Sequence, residues 1–402
     1  MDSKKMKKHI VLLSSIGMTV ILVLAGLTGV TLAKETMKEK AILDRFTKIS
    51  TGPSTVPSNG DLNPYGVAEV KQSVGNLVAG HILVSNFNNS LNLQGTGSTI
   101  VDVAPNGTVK LFAQINANQL PGSCPGGVGL TTALVTLRSG WVIVGSLPTT
   151  DGTSATAQAG CLIVLDSNGT PVETIFGSLI NGPWDMTAFE SDYGASLFVT
   201  NVLNGTVAGN GQIVNEGTVV RINLTLSSNT IPFIESMTVV GSGFSERTDP
   251  VALVIGPTGV GLSSKKHHKH DMQQSFKFGE GEGEPEVLYV ADTLNNRIAA
   301  IPDPLDRTTS AGTGFTLSAG GSLNGPLGLV VAPRGHILTV NGNDGFITEI
   351  TPEGDQIAQT LLDNTGGPPP GVGTLFGLAF DPKVGVYFVD NGTNTLNLLQ
   401  QE

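Results

Sequence analysis

The chain has 402 residues, of which 39% are hydrophobic, only 14% are charged and 52 are glycine, a composition that suits many short buried strands joined by tight turns. Its formal net charge of −11 disfavours contact with phosphate backbones, so we expect no nucleic-acid partner. Beyond about residue 50, no long stretch has the 3.6-residue apolar period of an amphipathic helix, which excludes a mainly helical protein.

The first 33 residues have the layout of an export signal. Lys4, Lys5, Lys7 and Lys8 precede an uncharged run at residues 10–33, whose length is also enough to cross a bilayer at about 20 residues. Cleavage after Ala33 and retention as a membrane anchor therefore both stay open. In either case the lysines stay in the cytoplasm, and we expect the rest of the chain to be periplasmic, extracellular or held outside the membrane by this segment alone.

One sequence pattern occurs six times after this segment. Each copy is a turn, a short apolar strand and then Asn, Asp or Ser, at residues 80–86, 140–146, 195–201, 286–292, 335–341 and 384–390. Repeats of about 40 to 60 residues that are rich in short strands are typical of propellers, because each unit buries its faces only against its neighbours. The pattern predicts an all-β, six-bladed propeller with four-stranded antiparallel blades.

The strands can be placed from the same pattern. We expect inner strands at residues 65–70, 130–137, 184–189, 250–256, 327–332 and 375–381, and third strands at residues 99–104, 162–166, 219–223, 297–301 and 347–351. The sixth blade reaches only its third strand, at residues 395–399, and an open sheet edge needs a partner. Residues 42–49 are expected to supply it and close the ring. The predicted divisions are residues 1–33 for the signal peptide or anchor helix outside the fold, 34–62 for a linker with the closing strand, and 63–402 for the propeller.

Two segments carry a family resemblance. Residues 287–298, Val-Leu-Tyr-Val-Ala-Asp-Thr-Leu-Asn-Asn-Arg-Ile, resemble the NHL-repeat signature, and residues 324–329, Asn-Gly-Pro-Leu-Gly-Leu, resemble the start of such a repeat. The match is strong mainly at residues 250–350 and weaker elsewhere in residues 63–400. The resemblance implies a six-bladed propeller related to the NHL and gluconolactonase-like group, which includes binding modules as well as lyases and lactonases.

A set of polar residues ends the second strand of each blade. We call it the strand-end set; its members are Asn86, Ser146, Asn201, Asp292, Asn341 and Asp390. These residues should lie near the face that bears the long loops at residues 87–98, 147–160 and 202–217, where they are candidates for binding a carbohydrate, peptide or protein ligand. The alternative for each member is a bond to the backbone of its own turn.

Two functions follow from this set. The first is an exported monomeric module for binding or scaffolding, and the alternative is a divalent-cation-dependent lactonase or lyase outside the cytoplasm, with Ca²⁺ held by Asp292 and Asp390. Against an enzyme, His81 and His336 start second strands on the opposite face, and no Gly-x-Ser-x-Gly turn is present. No catalytic residue is assigned from the sequence.

Two further features concern cysteine and histidine. Cys124 and Cys161 are the only cysteines, and an oxidising compartment together with their expected places in blade two predicts a disulfide. His267, His268 and His270 lie beside lysines in an insertion of the fourth blade. Such a tract can bind a transition metal, but we expect a solvated loop whose basic and acidic halves attract each other.

Overall fold

Six antiparallel sheets follow one another along the chain and form the blades of a propeller, as predicted. The computed structural model describes residues 40–192, 194–227, 230–250, 252–264 and 285–402. The proposed signal or anchor and the three histidines of the insertion lie outside these residues. Within them, no helix is long and apolar enough to span a bilayer.

Strand β1 (Lys48–Ser50) precedes the blades. The first three blades contain β2 (Leu62–Glu69), β3 (Ile82–Asn88), β4 (Thr99–Val103), β5 (Val109–Gln114), β6 (Leu130–Thr136), β7 (Val142–Ser146), β8 (Cys161–Leu165), β9 (Pro171–Ile175), β10 (Pro183–Glu190), β11 (Gly194–Asn201), β12 (Val214–Ser227), β13 (Thr230–Asp249) and β14 (Leu253–Ile255). The last three contain β15 (Pro257–Ser264), β16 (Pro285–Asp292), β17 (Arg297–Pro302), β18 (Phe315–Ala319), β19 (Pro326–Val331), β20 (Ile337–Asn341), β21 (Phe346–Ile350), β22 (Gln356–Leu361), β23 (Leu375–Asp381), β24 (Gly385–Asp390) and β25 (Thr395–Gln400). Short 3₁₀ turns occur at Leu43–Arg45, Ala117–Gln119, Ser154–Thr156, Thr293–Asn295 and Pro333–Gly335.

The N-terminal strand closes the ring, which confirms the expectation for the sixth blade. Strand β1 pairs antiparallel with β25, with Lys48 opposite Gln400 and Ser50 opposite Leu398. The turn before β1 is held by a buried carboxylate of blade five, because Glu349 accepts hydrogen bonds from the backbone N–H groups of Ile42 (2.9 Å) and Leu43 (2.8 Å). The chain is therefore part of the propeller from the turn at Leu43–Arg45 onward.

One predicted inner strand is wrong. The inner strand of blade four is β15, which begins at Pro257, whereas the predicted segment at residues 250–256 contains β14, which pairs with the end of β13 as a fifth strand of blade three. The apolar run was misleading because its side chains are buried for another reason: Ala252, Leu253 and Val254 join the same buried cluster as Trp184. We call residues 247–249 with 252–255 the cap hairpin.

Glycines allow the inner strands to lie close together around the axis. A Cβ atom added to Gly259, Gly328 or Gly377, each the third residue of its inner strand, would lie 1.8–2.1 Å from a backbone oxygen of the neighbouring inner strand. No side chain fits at that distance without moving the backbone. The same position holds Thr132 in blade two and Asp185 in blade three, so these two side chains mark the places where the ring is wider.

The structure joins Cys124 and Cys161 in a disulfide, with their Cα atoms 5.1 Å apart. Cys161 is the first residue of β8, and Cys124 lies in the connection that leads into blade two. In the folded protein the bond fastens this long connection to the blade that it enters. In the unfolded protein the same bond lowers the conformational entropy of the chain, which stabilises the fold.

We predict that Glu349→Gln destabilises the ring closure. The amide NH₂ of glutamine cannot accept the hydrogen bonds that the carboxylate takes from Ile42, Leu43 and the His336 ring, so a buried donor loses its acceptor at a cost of about 1–3 kcal/mol. Hydrogen exchange should show faster exchange of the Ile42 and Leu43 amides. Asp355→Asn, which changes an exposed carboxylate of the same blade, serves as the control; equal exchange in both variants would refute the anchoring role.

Candidate functional site

Two recesses lie along the propeller axis, one near each face. We call the side where the inner strands begin the front face and the side where they end the rear face. The channel cavity, about 290 Å³, lies among the later residues of all six inner strands, from Thr132 and Asp185 to Glu69 and Lys71. The front cleft, about 390 Å³, lies between loops of blades four, five and six and the cap hairpin.

The strand-end set occupies one equivalent position in all six blades. Each member pairs with a residue at the start of its inner strand, in the pairs Pro64 with Asn86, Leu130 with Ser146, Pro183 with Asn201, Pro257 with Asp292, Pro326 with Asn341, and Leu375 with Asp390. The structure thus places the set at the front ends of the second strands. All six side chains are buried.

Three of these side chains accept a hydrogen bond from the backbone that leads into the inner strand. Asn201 accepts a hydrogen bond from the Asn181 N–H (2.9 Å), and Asn341 accepts one from the Asn324 N–H (3.0 Å). Ser146 accepts one from the Gly129 N–H (3.0 Å). These bonds fix the loops of the front face. A direct contact between this set and a ligand stays a prediction.

The two carboxylates proposed as metal ligands have different surroundings. Asp292 is fully buried and accepts a hydrogen bond from Nε of Arg297 at 2.8 Å, which neutralises its charge. Asp390 has no such cation beside it among the described residues. Burial raises the pKa of Asp390, and the nearby carboxylate of Asp363 adds to the rise. Among the described residues, no three His, Cys, Asp or Glu side chains gather in a way that could hold a metal ion.

Charged groups in the front cleft come from the cap hairpin. The Nη2 atom of Arg247 donates to Asp249 at 3.2 Å, and the Ala252 N–H donates to the same carboxylate at 3.0 Å. The buried Nε atom of Arg247 has no hydrogen-bond partner within the described ranges. Much of the opposite wall consists of amide side chains, from Asn296, Asn324 and Asn343, beside apolar residues such as Phe376. The cleft therefore presents one guanidinium and several neutral polar groups to a bound molecule.

A second carboxyl group is buried beside this hairpin. Glu246 precedes Arg247 in β13 and accepts a hydrogen bond from the Thr206 hydroxyl at 2.9 Å. Burial raises the pKa of Glu246 to about 8. At neutral pH the group is therefore largely protonated, so Glu246 supports the loop of blade three without adding a negative charge to the front face.

Sequence reasoning missed Arg247, Asp249 and Asp185. Residues 250–256 were predicted to be an inner strand, so their pairing with the end of β13, which places Arg247 and Asp249 at the front face, was not foreseen. Asp185 could have been found by aligning the repeats, because it stands where four of the six inner strands have glycine.

The two histidines of the second strands pair with carboxylates of the third strands, His81 with Asp102 at 2.8 Å and His336 with Glu349.

We predict that Glu246→Gln makes stability less dependent on pH. The folded protein keeps a proton on Glu246 that the unfolded chain releases, so the free energy of unfolding should fall by a few kcal/mol as pH rises from about 4 to 8. In Glu246→Gln this fall should shrink, leaving the part due to Asp185, whose pKa is raised in the same direction. Urea denaturation across this range measures the slope; the exposed Glu235→Gln should keep the wild-type slope, and an unchanged slope in Glu246→Gln would contradict the assignment.

Comparison with solved structures places the chain among known propellers. The structure is similar to a gluconolactonase of Xanthomonas campestris (TM-score 0.52, 13% identity, 90% of this chain and 93% of that chain covered). It is also similar to regucalcin of Agrobacterium tumefaciens, described as a calcium-binding protein (TM-score 0.50, 13% identity, 88% and 96% covered). No protein-family model and no curated protein matches the sequence. At these identities the likeness shows the fold alone, and that fold is the predicted six-bladed propeller.

Proposed function

We propose that this protein is an enzyme that opens a small oxygen-rich ring, such as a lactone, in the front cleft. The observation that carries the proposal is the guanidinium of Arg247, whose buried Nε finds no hydrogen-bond partner among the described residues and lies in a cleft of about 390 Å³. That volume is within the usual range for small-molecule sites of about 300–1,000 Å³. A gluconolactonase among the similar structures makes lactones the first class of substrate to test.

The cleft offers the groups that ring opening by water requires. In the proposed reaction Arg247 donates to the lactone carbonyl oxygen and stabilises the negative charge that develops there. Asp249, beside it, accepts a proton from the attacking water, whose oxygen forms the new bond to the carbonyl carbon. The ring C–O bond then breaks, and the ring oxygen takes up the proton to give a hydroxy acid. The amide wall can hydrogen-bond the hydroxyl groups of such a substrate.

Calcium is the cation that the comparison with regucalcin suggests, and the donor set of the cleft does not fit it. Ca²⁺ takes about 6–8 oxygen ligands, usually with several carboxylates. The cleft has one carboxylate, Asp249, and the positive guanidinium of Arg247 already lies against it. We therefore derive no step through a metal, and the role of Asp292 and Asp390 as Ca²⁺ ligands is not carried into the mechanism.

We predict that Arg247→Met lowers kcat/KM for glucono-δ-lactone by about 100-fold, the usual effect of removing one donor to a developing oxyanion. The full-length protein is assayed by pH-stat, with and without EDTA and added Ca²⁺. Arg138→Met is the matched control because Arg138 pairs with Glu190 at the far ends of the inner strands. Equal turnover by the two variants would refute the role of Arg247.

A second candidate function, binding or scaffolding without turnover, is favoured by the front loops. Leu91 is 76% exposed and Ile213 is 57% exposed, and both lie in the long loops that follow second strands. Exposed apolar side chains on one face are typical of a surface that meets a partner. Under this reading a carbohydrate, peptide or protein binds the front face, and no lactone or ester in the assay is hydrolysed above the buffer rate.

We further propose that the protein acts as a monomer outside the cytoplasm. The lysine-led apolar segment at residues 4–33 supports export. The Cys124–Cys161 disulfide is in keeping with an oxidising compartment. Alkaline phosphatase fused after residue 33 would be active in the exporting host under this proposal and inactive if the segment does not direct export.

A further inference from the structure

The channel cavity near the rear face is lined by side chains that take no part in the proposed lactone reaction. Its walls include many apolar side chains of the inner strands, among them Leu134, Met186 and Leu378. Each inner strand is the terminal strand of its sheet, so it has a strand partner on one side only. At about 290 Å³ the cavity has room for roughly ten water molecules, each with a share of about 30 Å³ in the liquid.

Asp185 is the ionisable group at the inner end of this cavity. Its carboxylate oxygens accept hydrogen bonds from the Met186 N–H (2.8 Å) and the Val260 N–H (3.1 Å), and its side chain is largely buried. Both contacts come from neutral backbone donors. The ionisable side chains that share the cavity are Glu69 and Lys71, which pair with each other at the rear mouth. Among the described residues, the ionised form of Asp185 therefore has no countercharge of its own.

The hydroxyl group of Thr132 is independent support for a polar ligand in this cavity. It occupies the same inner-strand position in blade two as Asp185 does in blade three, and it also lines the cavity. The residue is 4% exposed, and its hydroxyl oxygen has no hydrogen-bond partner in the part of the chain that the structure describes. A buried hydroxyl without a partner destabilises the fold, and a bound group or an ordered water would remove that cost.

We propose that the channel cavity binds a small organic cation, a primary ammonium with an apolar body, whose nitrogen lies between Asp185 and Thr132. The ammonium supplies the countercharge for the carboxylate and donates a hydrogen bond to the threonine hydroxyl. Its hydrocarbon part contacts the apolar walls, which removes apolar surface from water. The site is separate from the front cleft, because the apolar layer that contains Trp184, Leu327 and Phe376 lies at the start of the inner strands.

The protonation state of Asp185 distinguishes binding of an ammonium from binding of an uncharged apolar molecule. Burial raises the pKa of Asp185 to about 8, so the carboxyl group is largely protonated in the free protein at pH 7. Binding of an ammonium requires the ionised form, and the proton is then released to the buffer. Affinity for the cation should therefore increase from about pH 6 to pH 8 as Asp185 loses its proton more readily.

The test is calorimetric titration of the full-length protein with n-butylammonium and, as its neutral match, n-butanol. We expect n-butylammonium to bind more tightly, with about one proton released at pH 7 when buffers of different ionisation enthalpy are compared. Asp185→Asn should weaken it about tenfold or more and abolish the release, since a hydrogen bond to a charged group contributes about 1.5–3 kcal/mol. Thr132→Val should weaken it by a smaller factor with the release retained.

Asp355→Asn is the control, because Asp355 is an exposed carboxylate in the turn after β21. Thermal unfolding of each variant shows whether it is folded before titration. The proposal is overturned if n-butanol binds as well as n-butylammonium, if Asp185→Asn binds with wild-type affinity, or if no heat of n-butylammonium binding is detected with the wild-type protein. Thr132→Val keeps the test decisive if Asp185→Asn does not fold.

Discussion

The close approach of six inner strands around one axis is the constraint on which the rest of this propeller depends. Where the third inner-strand residue is Gly259, Gly328 or Gly377, neighbouring backbones come so near that a single added carbon would overlap a backbone oxygen. Thr132 and Asp185 break this rule on one side of the ring. The asymmetry leaves space among the later residues of the inner strands and places the carboxyl group of Asp185 beside it.

The polar residues that recur through the blades stabilise the front face and hold the turns that form the walls of the cleft. Asn341 holds the backbone of Asn324, and Asp292 binds Arg297 beside the turn that carries Asn296. Both turns form walls of the front cleft. A residue conserved in the repeat can thus shape a binding surface without touching a ligand, while the groups that face the ligand come from the least regular connection in the ring.

The sequence was sufficient for the architecture because repetition is a strong signal. Six copies of one strand pattern gave the number of blades, and the missing fourth strand of the last blade led to the closing strand before residue 50. Sequence reasoning failed where one connection departs from the repeat: the apolar run of β14 looks like an inner strand and is buried like one. Arg247 and Asp249 could not be assigned to the front cleft, since their position depends on the path of the long strand β13.

Closure of the ring by β1 has a consequence for how the protein is made. Lys48 pairs with Gln400, so the last contact of the ring joins residues that leave the ribosome hundreds of peptide bonds apart. At about 5–20 residues per second, the early strand waits tens of seconds for its partner while its apolar neighbours Ile42, Leu43 and Phe46 lack their buried site. Chaperone holding during synthesis would therefore act on this segment first, and a premature stop codon before residue 395 would leave it without a partner strand.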